Sequence, residues 1–221
     1  MNLGDFDELL CAKLLVGARA LKLNRAEFVY ARGDAADRVY FVRSGRVKIV
    51  RANAAGAEVI VGIRNSGDIF GELAWMSGVH RQTWASAMEP THVDAISAET
   101  FAHILRSDGA IARGFARGIA RRLADAELEL TELAGKSVPG RLVDVLGRLA
   151  SEHGVEEPDG TLRIGINLTH KDLADLIGTS RETLTKELSV LADVGLLRVA
   201  HKTVTLVQPQ AFPFARLRES S

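Results

Sequence analysis

The chain is almost free of cysteine, carries no net charge and contains no long apolar run, and each deficit removes a class of protein. Cys11 is the sole cysteine among 221 residues. One thiol closes no intrachain disulfide, and alone it holds neither a zinc ion nor an iron–sulfur cluster. Lys and Arg number 28, as do Asp and Glu, giving a formal net charge of +0. No global field therefore draws the protein to nucleic acid or to a membrane, and any such binding must come from a local patch. No apolar stretch approaches the ~18 residues of a membrane span. The first residues, MNLGDFDELLCAKLL, carry Asp5, Asp7 and Glu8 where a secretory signal would be positive. The expectation is a cytoplasmic protein with no membrane partner. The β-rich runs hold no His/Glu cluster for a metal and no nucleophile beside a base, so nothing indicates an enzyme.

What is present is an ordinary globular composition, 47% hydrophobic and 25% charged, in a chain long enough for one large or two modest domains. Residues 6–21 (FDELLCAKLLVGARAL) show apolar positions at helical spacing and predict one or two short helices. From Arg25 to about Ser97 the short runs EFVYA, RVYFV, RVKIV and EVIVGI follow one another closely, separated by RGDAAD, SGR, NAAGA and RNSGD. Such spacing, with Gly and Asp/Asn between strands, indicates an antiparallel roll or small barrel. Gly33, Gly45, Gly56 and Gly67 suit turns that need positive φ.

Beyond Ala98 the pattern turns helical and stays so to Gly135. Phe115, Ile119, Leu123, Ala126, Leu130 and Leu133 recur at steps of three or four, a narrow heptad-type seam. The seam packs either on the chain's own roll or on a parallel twin, and its strict width favours the twin and a homodimer. SVPGRLVDVLGRLASEHG then opens a helix with Ser137 as N-cap and Pro139 in the first turn. EEPDG reads as a turn and TLRIGINL as a strand.

Thr169 and Asp172 have the spacing of a capping box, opening a helix that bears Leu173, Leu176 and Ile177 and stops at Gly178. TSRE starts a second helix with Leu184, Leu188 and Leu191 on its buried face, and DVGLLRVAHKTVTLV reads as a hairpin wing. Two short helices about a tight glycine turn make a helix-turn-helix. Arg181, Glu182, Thr185 and Lys186 then occupy the exposed first turns of the second helix. Arg grips guanine bidentately, Glu accepts from cytosine N4, and Lys serves guanine or phosphate. Thr179 and Ser180 at the helix start, with Thr169, suit backbone phosphates. The partner expected is double-stranded DNA.

Residues 71–83, GELAWMSGVHRQT, set Glu72 and Arg81 around a short apolar turn. An ordinary salt bridge fits this arrangement. So does a sugar phosphate, whose hydroxyl meets the carboxylate while its phosphate meets the guanidinium. Trp75 and Trp84 flank the stretch as core residues, and His80 is a loop histidine.

A β-roll, a long helix and a winged helix-turn-helix containing TSRETLTKEL, in that order, resemble the CRP/FNR family of bacterial transcription regulators over nearly the whole chain. FVYARGDAADRVYFVRSGRVKIV is similar to that family's cyclic-nucleotide-binding roll, and GELAWMSGVHRQT to its phosphate cassette. The resemblance implies an α+β protein in three parts. These are a jelly-roll-like effector-binding β-roll over 1–110, a dimerisation helix over 111–135 and a winged helix-turn-helix over 136–221. It implies that Glu72, within Gly71, Glu72 and Leu73, takes a ribose hydroxyl and that Arg81 neutralises the cyclic phosphate. Gln82 and Thr83 stand where cyclic-AMP-responsive members have Ser or Thr and then Ala. Ala126 and Glu127 fall on the Thr-Ser pair that reads adenine, and Ala126 has no side-chain hydrogen bond to offer. The implied effector is a cyclic nucleotide, cyclic AMP first and cyclic GMP second, with no prosthetic group. Alternatives are a constitutive DNA binder and a haem-based gas sensor with His80 as ligand. RNA polymerase is the implied protein partner and a palindromic TGTGA-like site the implied operator. Lys186, in place of the usual arginine, keeps the charge without the fork and weakens discrimination at one position.

Overall fold

The computed structural model describes residues 17–133, 135–200 and 202–215, the side chains of 129–133 excepted. The chain divides into two compact units, Met1–Leu130 and Thr131–Ser221. Most of the expected amino-terminal helix, Cys11 included, lies outside the described residues. Its last part is not helical: Arg19–Leu23 is strand β1. RALKL alternates as well as it spirals, and pairing with Thr91–Ser97 turns Leu21 and Leu23 toward the roll interior while Ala20 and Lys22 face out.

Among the described residues the first unit holds two four-stranded antiparallel sheets. One runs β1, β8 (Thr91–Ser97), β3 (Arg38–Ser44) and β6 (Ile69–Phe70); the other runs β2 (Phe28–Tyr30), β7 (Trp84–Ala87), β4 (Val47–Ala52) and β5 (Glu58–Arg64). The period of two in RVYFVRS splits the core. Tyr40 and Val42 join Val47, Ile49, Phe70, Ala85 and Val93 inside the roll. Val39 and Phe41 face the other way, into a cluster with Phe101, Ile111 and Phe115. The four turn glycines all have positive φ, as expected.

Among the described residues, three helices belong to this unit: α1 (Glu72–Met76), α2 (Ala98–Ser107) and most of α3 (Gly109–Leu133). The long helical stretch is therefore broken, at Asp108. That residue is extended (φ −132, ψ 100), and its carboxylate accepts from the backbone N–H of Ala110 at 3.0 Å and of Ile111 at 3.2 Å. An aspartate that caps a new helix start competes with continuing the old one. The seam also divides. Phe115 is buried and Ile119 packs on the same cluster, so the first two positions serve the chain's own roll. Leu123 is bare, 59% exposed.

In the second unit α4 (Val138–His153), α5 (His170–Ile177) and α6 (Arg181–Asp193) pack against a sheet ordered β11 (Leu197–Ala200), β12 (Thr203–Leu206), β10 (Leu162–Ile164) and β9 (Gly154–Glu156). Strand β9 stands just where α4 ends, and the strand expected over 161–168 keeps only three ladder residues. Ile166 and Leu168 are buried all the same, fixed by bonds such as Leu168 N–H to the Lys202 carbonyl at 3.1 Å. Burial, not ladder membership, is what the apolar alternation reported.

Candidate ligand pocket and nucleic-acid interface

The helix-turn-helix follows from its capping chemistry. Thr169 Oγ1 accepts from the Asp172 N–H at 3.0 Å, and Asp172 Oδ2 accepts from the Thr169 N–H at 3.0 Å, a complete capping box. Gly178 closes α5 in the left-handed region (φ 67, ψ 51), where a Cβ would be strained. Ser180 then caps α6 by accepting from the Thr183 N–H at 3.1 Å. Leu184 and Leu188 are buried, whereas Arg181, Glu182, Thr185 and Lys186 are all exposed.

Several hydroxyls of this region have local duties. Those of Thr169 and Ser180 serve their caps. Thr185 donates to the Arg181 carbonyl at 2.8 Å and meets His170 Nδ1 at 2.9 Å. That last contact ties the two helices together and has no signature in the sequence. Neither does Arg141, whose Nε donates at 2.9 Å to the Ile177 carbonyl at the end of α5. The Glu182 carboxyl is held below its usual range by hydrogen bonds from its own backbone N–H and from Ser180, with the Arg181 charge adding to them.

The pocket lies in the first unit, around the short helix α1. Gly71 enters it at φ 80, and a Cβ there would come within 2.9 Å of the Tyr40 ring and 3.1 Å of Arg81 Nη1. Arg81 is only 1% exposed. Its backbone is held to the 33–34 turn by Arg81 N–H to the Asp34 carbonyl and Gly33 N–H to the Arg81 carbonyl, both at 2.9 Å. Its guanidinium donates to the carbonyls of Gly71 and Arg38 and lies 4.5 Å from the Tyr30 ring centroid and 5.6 Å from that of Tyr40. Nε has no partner. Burial pushes the Tyr30 phenol up, against its hydrogen bond with Thr83 and the nearby Arg81 charge.

Glu72 is equally buried, at 1%. The salt bridge open to it and Arg81 does not form. Instead Oε1 accepts from Arg122 Nη2 of α3 at 2.6 Å, and Oε2 has no partner. Arg122 sits fifty residues away, beyond the reach of any local spacing rule. A fourth charged group, Arg64 at the end of β5, has its pKa held down by burial first and then by the Arg122 charge, against the opposing pull of Glu72 and Asp68. Leu73 and Gln82 are exposed, and Thr83 shares a 3.2 Å hydrogen bond with the Tyr30 hydroxyl. Ala126 and Glu127 stand exposed on α3. Trp75 packs edge-on to Phe101 at 5.7 Å, while Trp84 lies under the Arg32 guanidinium at 5.9 Å. His80 Nδ1 is 3.1 Å from the Gly33 carbonyl oxygen. Among the described residues no three His, Cys, Asp or Glu side chains gather to hold a metal, and no helix is long and apolar enough to cross a membrane.

Comparison with known proteins meets this geometry at both ends. Residues 20–108 match the cyclic nucleotide-binding domain, and residues 140–212 the Crp-like helix-turn-helix domain. The CRP-like cAMP-activated global transcriptional regulator of Mycobacterium tuberculosis is 32% identical over 182 residues, 82% of this chain and 81% of that protein. The global nitrogen regulator of Synechocystis is 30% identical over 190 residues, 85% of this chain and 84% of that one. In solved structures, the c-di-GMP responsive global regulator CLP of Xanthomonas campestris superposes with a TM-score of 0.77 at 24% identity, over 90% of this chain and 99% of that one. That likeness concerns the fold.

Proposed function

Because the chain belongs to the CRP/FNR family of transcription regulators, we propose that it acts as a cytoplasmic homodimer that binds palindromic DNA under the control of a cyclic nucleotide. The relatives' names point to cyclic AMP, and the base itself is treated below. The observation that carries the reading is the Glu72 carboxylate, shut away from water with one oxygen on Arg122 and the other unpartnered. A buried acceptor without a donor is costly, and a ribose hydroxyl supplies that donor.

In this reading Gly71, Glu72 and Leu73 bring the sugar phosphate to α1, and Arg81 neutralises the phosphate with the N–H groups it still has free. Gln82 and Thr83 border the phosphate, and Ala126 and Glu127 border the base. Arg122 links the pocket to α3, so a hydroxyl that competes for Glu72 acts directly on that helix. The seam residue Leu123, 59% exposed, supports a twin helix against the distal part of α3. The α6 residues Arg181, Glu182, Thr185 and Lys186 read a TGTGA-like half-site, with Thr169, Thr179 and Ser180 near backbone phosphates. In a two-fold dimer the two reading helices address successive major grooves about 34 Å apart. RNA polymerase is the partner proposed on the strength of the family.

The test is calorimetric titration of cyclic AMP and cyclic GMP into the protein and its Arg81→Ala variant, paired with gel shifts on a symmetric TGTGA-type duplex. We expect nucleotide to tighten operator binding, and Arg81→Ala to weaken nucleotide binding at least about 100-fold, the worth of a desolvated charge-assisted contact. An Arg81→Ala protein with both affinities unchanged removes the assignment. Operator binding indifferent to either nucleotide, with no thermal stabilisation, favours the constitutive alternative.

A further inference from the structure

Gly62 and Arg64 occupy the inner end of β5 and are not explained by the fold. Gly62 pairs with Ile49 beside a register shift in the β4–β5 ladder, and its φ lies outside the left-handed region that favours glycine. A side chain occupies the space that the glycine leaves. A Cβ on residue 62 would lie 2.7 Å from Arg64 Nη1, 3.2 Å from Nη2 and 3.3 Å from Cζ. The missing methyl is the space in which the guanidinium lies.

That guanidinium is poorly satisfied. Its hydrogen bond runs from Nη1 to the carbonyl of its own neighbour Ile63 at 3.1 Å, and its Nε is buried with no partner. The charges it feels most are Arg122, then Glu72, then Asp68 and the Tyr30 phenol. Arg64 pairs with Val47, whose side chain lies in the roll core, so the Arg64 side chain starts from the inner face of β5. A half-buried guanidinium whose Nε is shut from water without a partner needs an acceptor. On α3, exposed Ala126 follows Arg122 by about one helical turn and brings a methyl group rather than a polar one.

Counting the charges that meet here, Arg64, Arg81 and Arg122 face Glu72 and Asp68, leaving one positive charge, which a single cyclic phosphate on Arg81 balances. Arg64 is then left to a neutral group with two neighbouring acceptors. Guanine offers O6 and N7 side by side, the pair that an arginine fork grips; adenine sets an N6 amino donor beside N7, donor against donor. We propose that Arg64, in the space opened by Gly62, is a base-reading residue that selects guanine, so that cyclic GMP is the preferred effector. This rests on the cyclic-nucleotide reading above and deepens it.

The test is isothermal titration of cyclic GMP and cyclic AMP, each into the full chain and into Arg64→Met, Arg64→Lys and Gly62→Val, with melting curves to verify folding. The wild type is expected to bind cyclic GMP roughly 10-fold or more tightly than cyclic AMP. Arg64→Met should bring the ratio near one, with the loss falling on cyclic GMP. Arg64→Lys, which keeps the charge and loses the fork, should also lose most of the preference. Gly62→Val should do the same with Arg64 still present. Equal or tighter binding of cyclic AMP by the wild type overturns the inference, as does an Arg64→Met protein that loses both nucleotides alike, since the role is then charge and not base. If neither nucleotide binds the wild type, the cyclic-nucleotide reading falls and this falls with it. Binding that is abolished by Arg81→Ala but blind to the base sinks only the inference.

Discussion

Glu72 and Arg122 form a pair in which one member is sealed from water and the other only partly so. Removing the arginine strands a buried carboxylate, a loss larger than the pair itself is worth. Arg122→Ala should therefore lower stability by on the order of 3 kcal/mol, read as a shifted urea midpoint, and adding Glu72→Gln should restore most of it. A double variant no more stable than Arg122→Ala would show that the guanidinium matters through packing instead. Tyr30 gives a pH-dependent counterpart. Burial raises its pKa in the folded state, so the fold binds that proton more tightly than the unfolded chain. Its contribution is complete below the unfolded value of about 10 and fades as pH rises through the higher folded value. Stability measured by denaturant across the alkaline range should fall more steeply in the wild type than in Tyr30→Phe. Residue types and the Gly71–Glu72 motif were legible in the sequence at this scale. The partner of Glu72 was not, because a contact across fifty residues leaves no periodic trace.

Among the elements, α3 changes character along its length. Ile111 and Phe115 are buried against α2 and the roll, with Ile119 beside them, while Leu123 is exposed. Heptad spacing showed that one face was apolar without showing what each part of it met. If the distal part seats a twin, Leu123→Glu should shift sedimentation velocity from dimer toward monomer and leave far-ultraviolet circular dichroism unchanged. A variant that still sediments as a dimer would place the interface elsewhere. The helix-turn-helix was read more fully. The capping box at Thr169, the stop at Gly178 and the burial of Leu184 and Leu188 all stand as expected, because each arises within a few residues. The β1 strand was missed for the complementary reason: RALKL fits two periods, and only its pairing with β8 decides between them.

For the molecule as a whole, two compact units with separate cores should respond to separate ligands. Differential scanning calorimetry is expected to show the effector raising a transition of the amino-terminal unit, by about 2.7 kcal/mol at a hundredfold excess over Kd, with an operator duplex raising the other. A single transition moved equally by both would mean that the units unfold as one. What the sequence by itself determined were the features made by neighbours: the turns of the roll, the caps of α5 and α6, the order of the elements, and the exposed face of Arg181, Glu182, Thr185 and Lys186. The tertiary structure alone decided the pairing of Glu72 with Arg122 in place of Arg81, and the place of Arg64 above Gly62. The physical reason is range. Capping and periodicity act over one or two helical turns, whereas a charge shut inside the roll takes whichever partner the packed strands and α3 bring within hydrogen-bond reach.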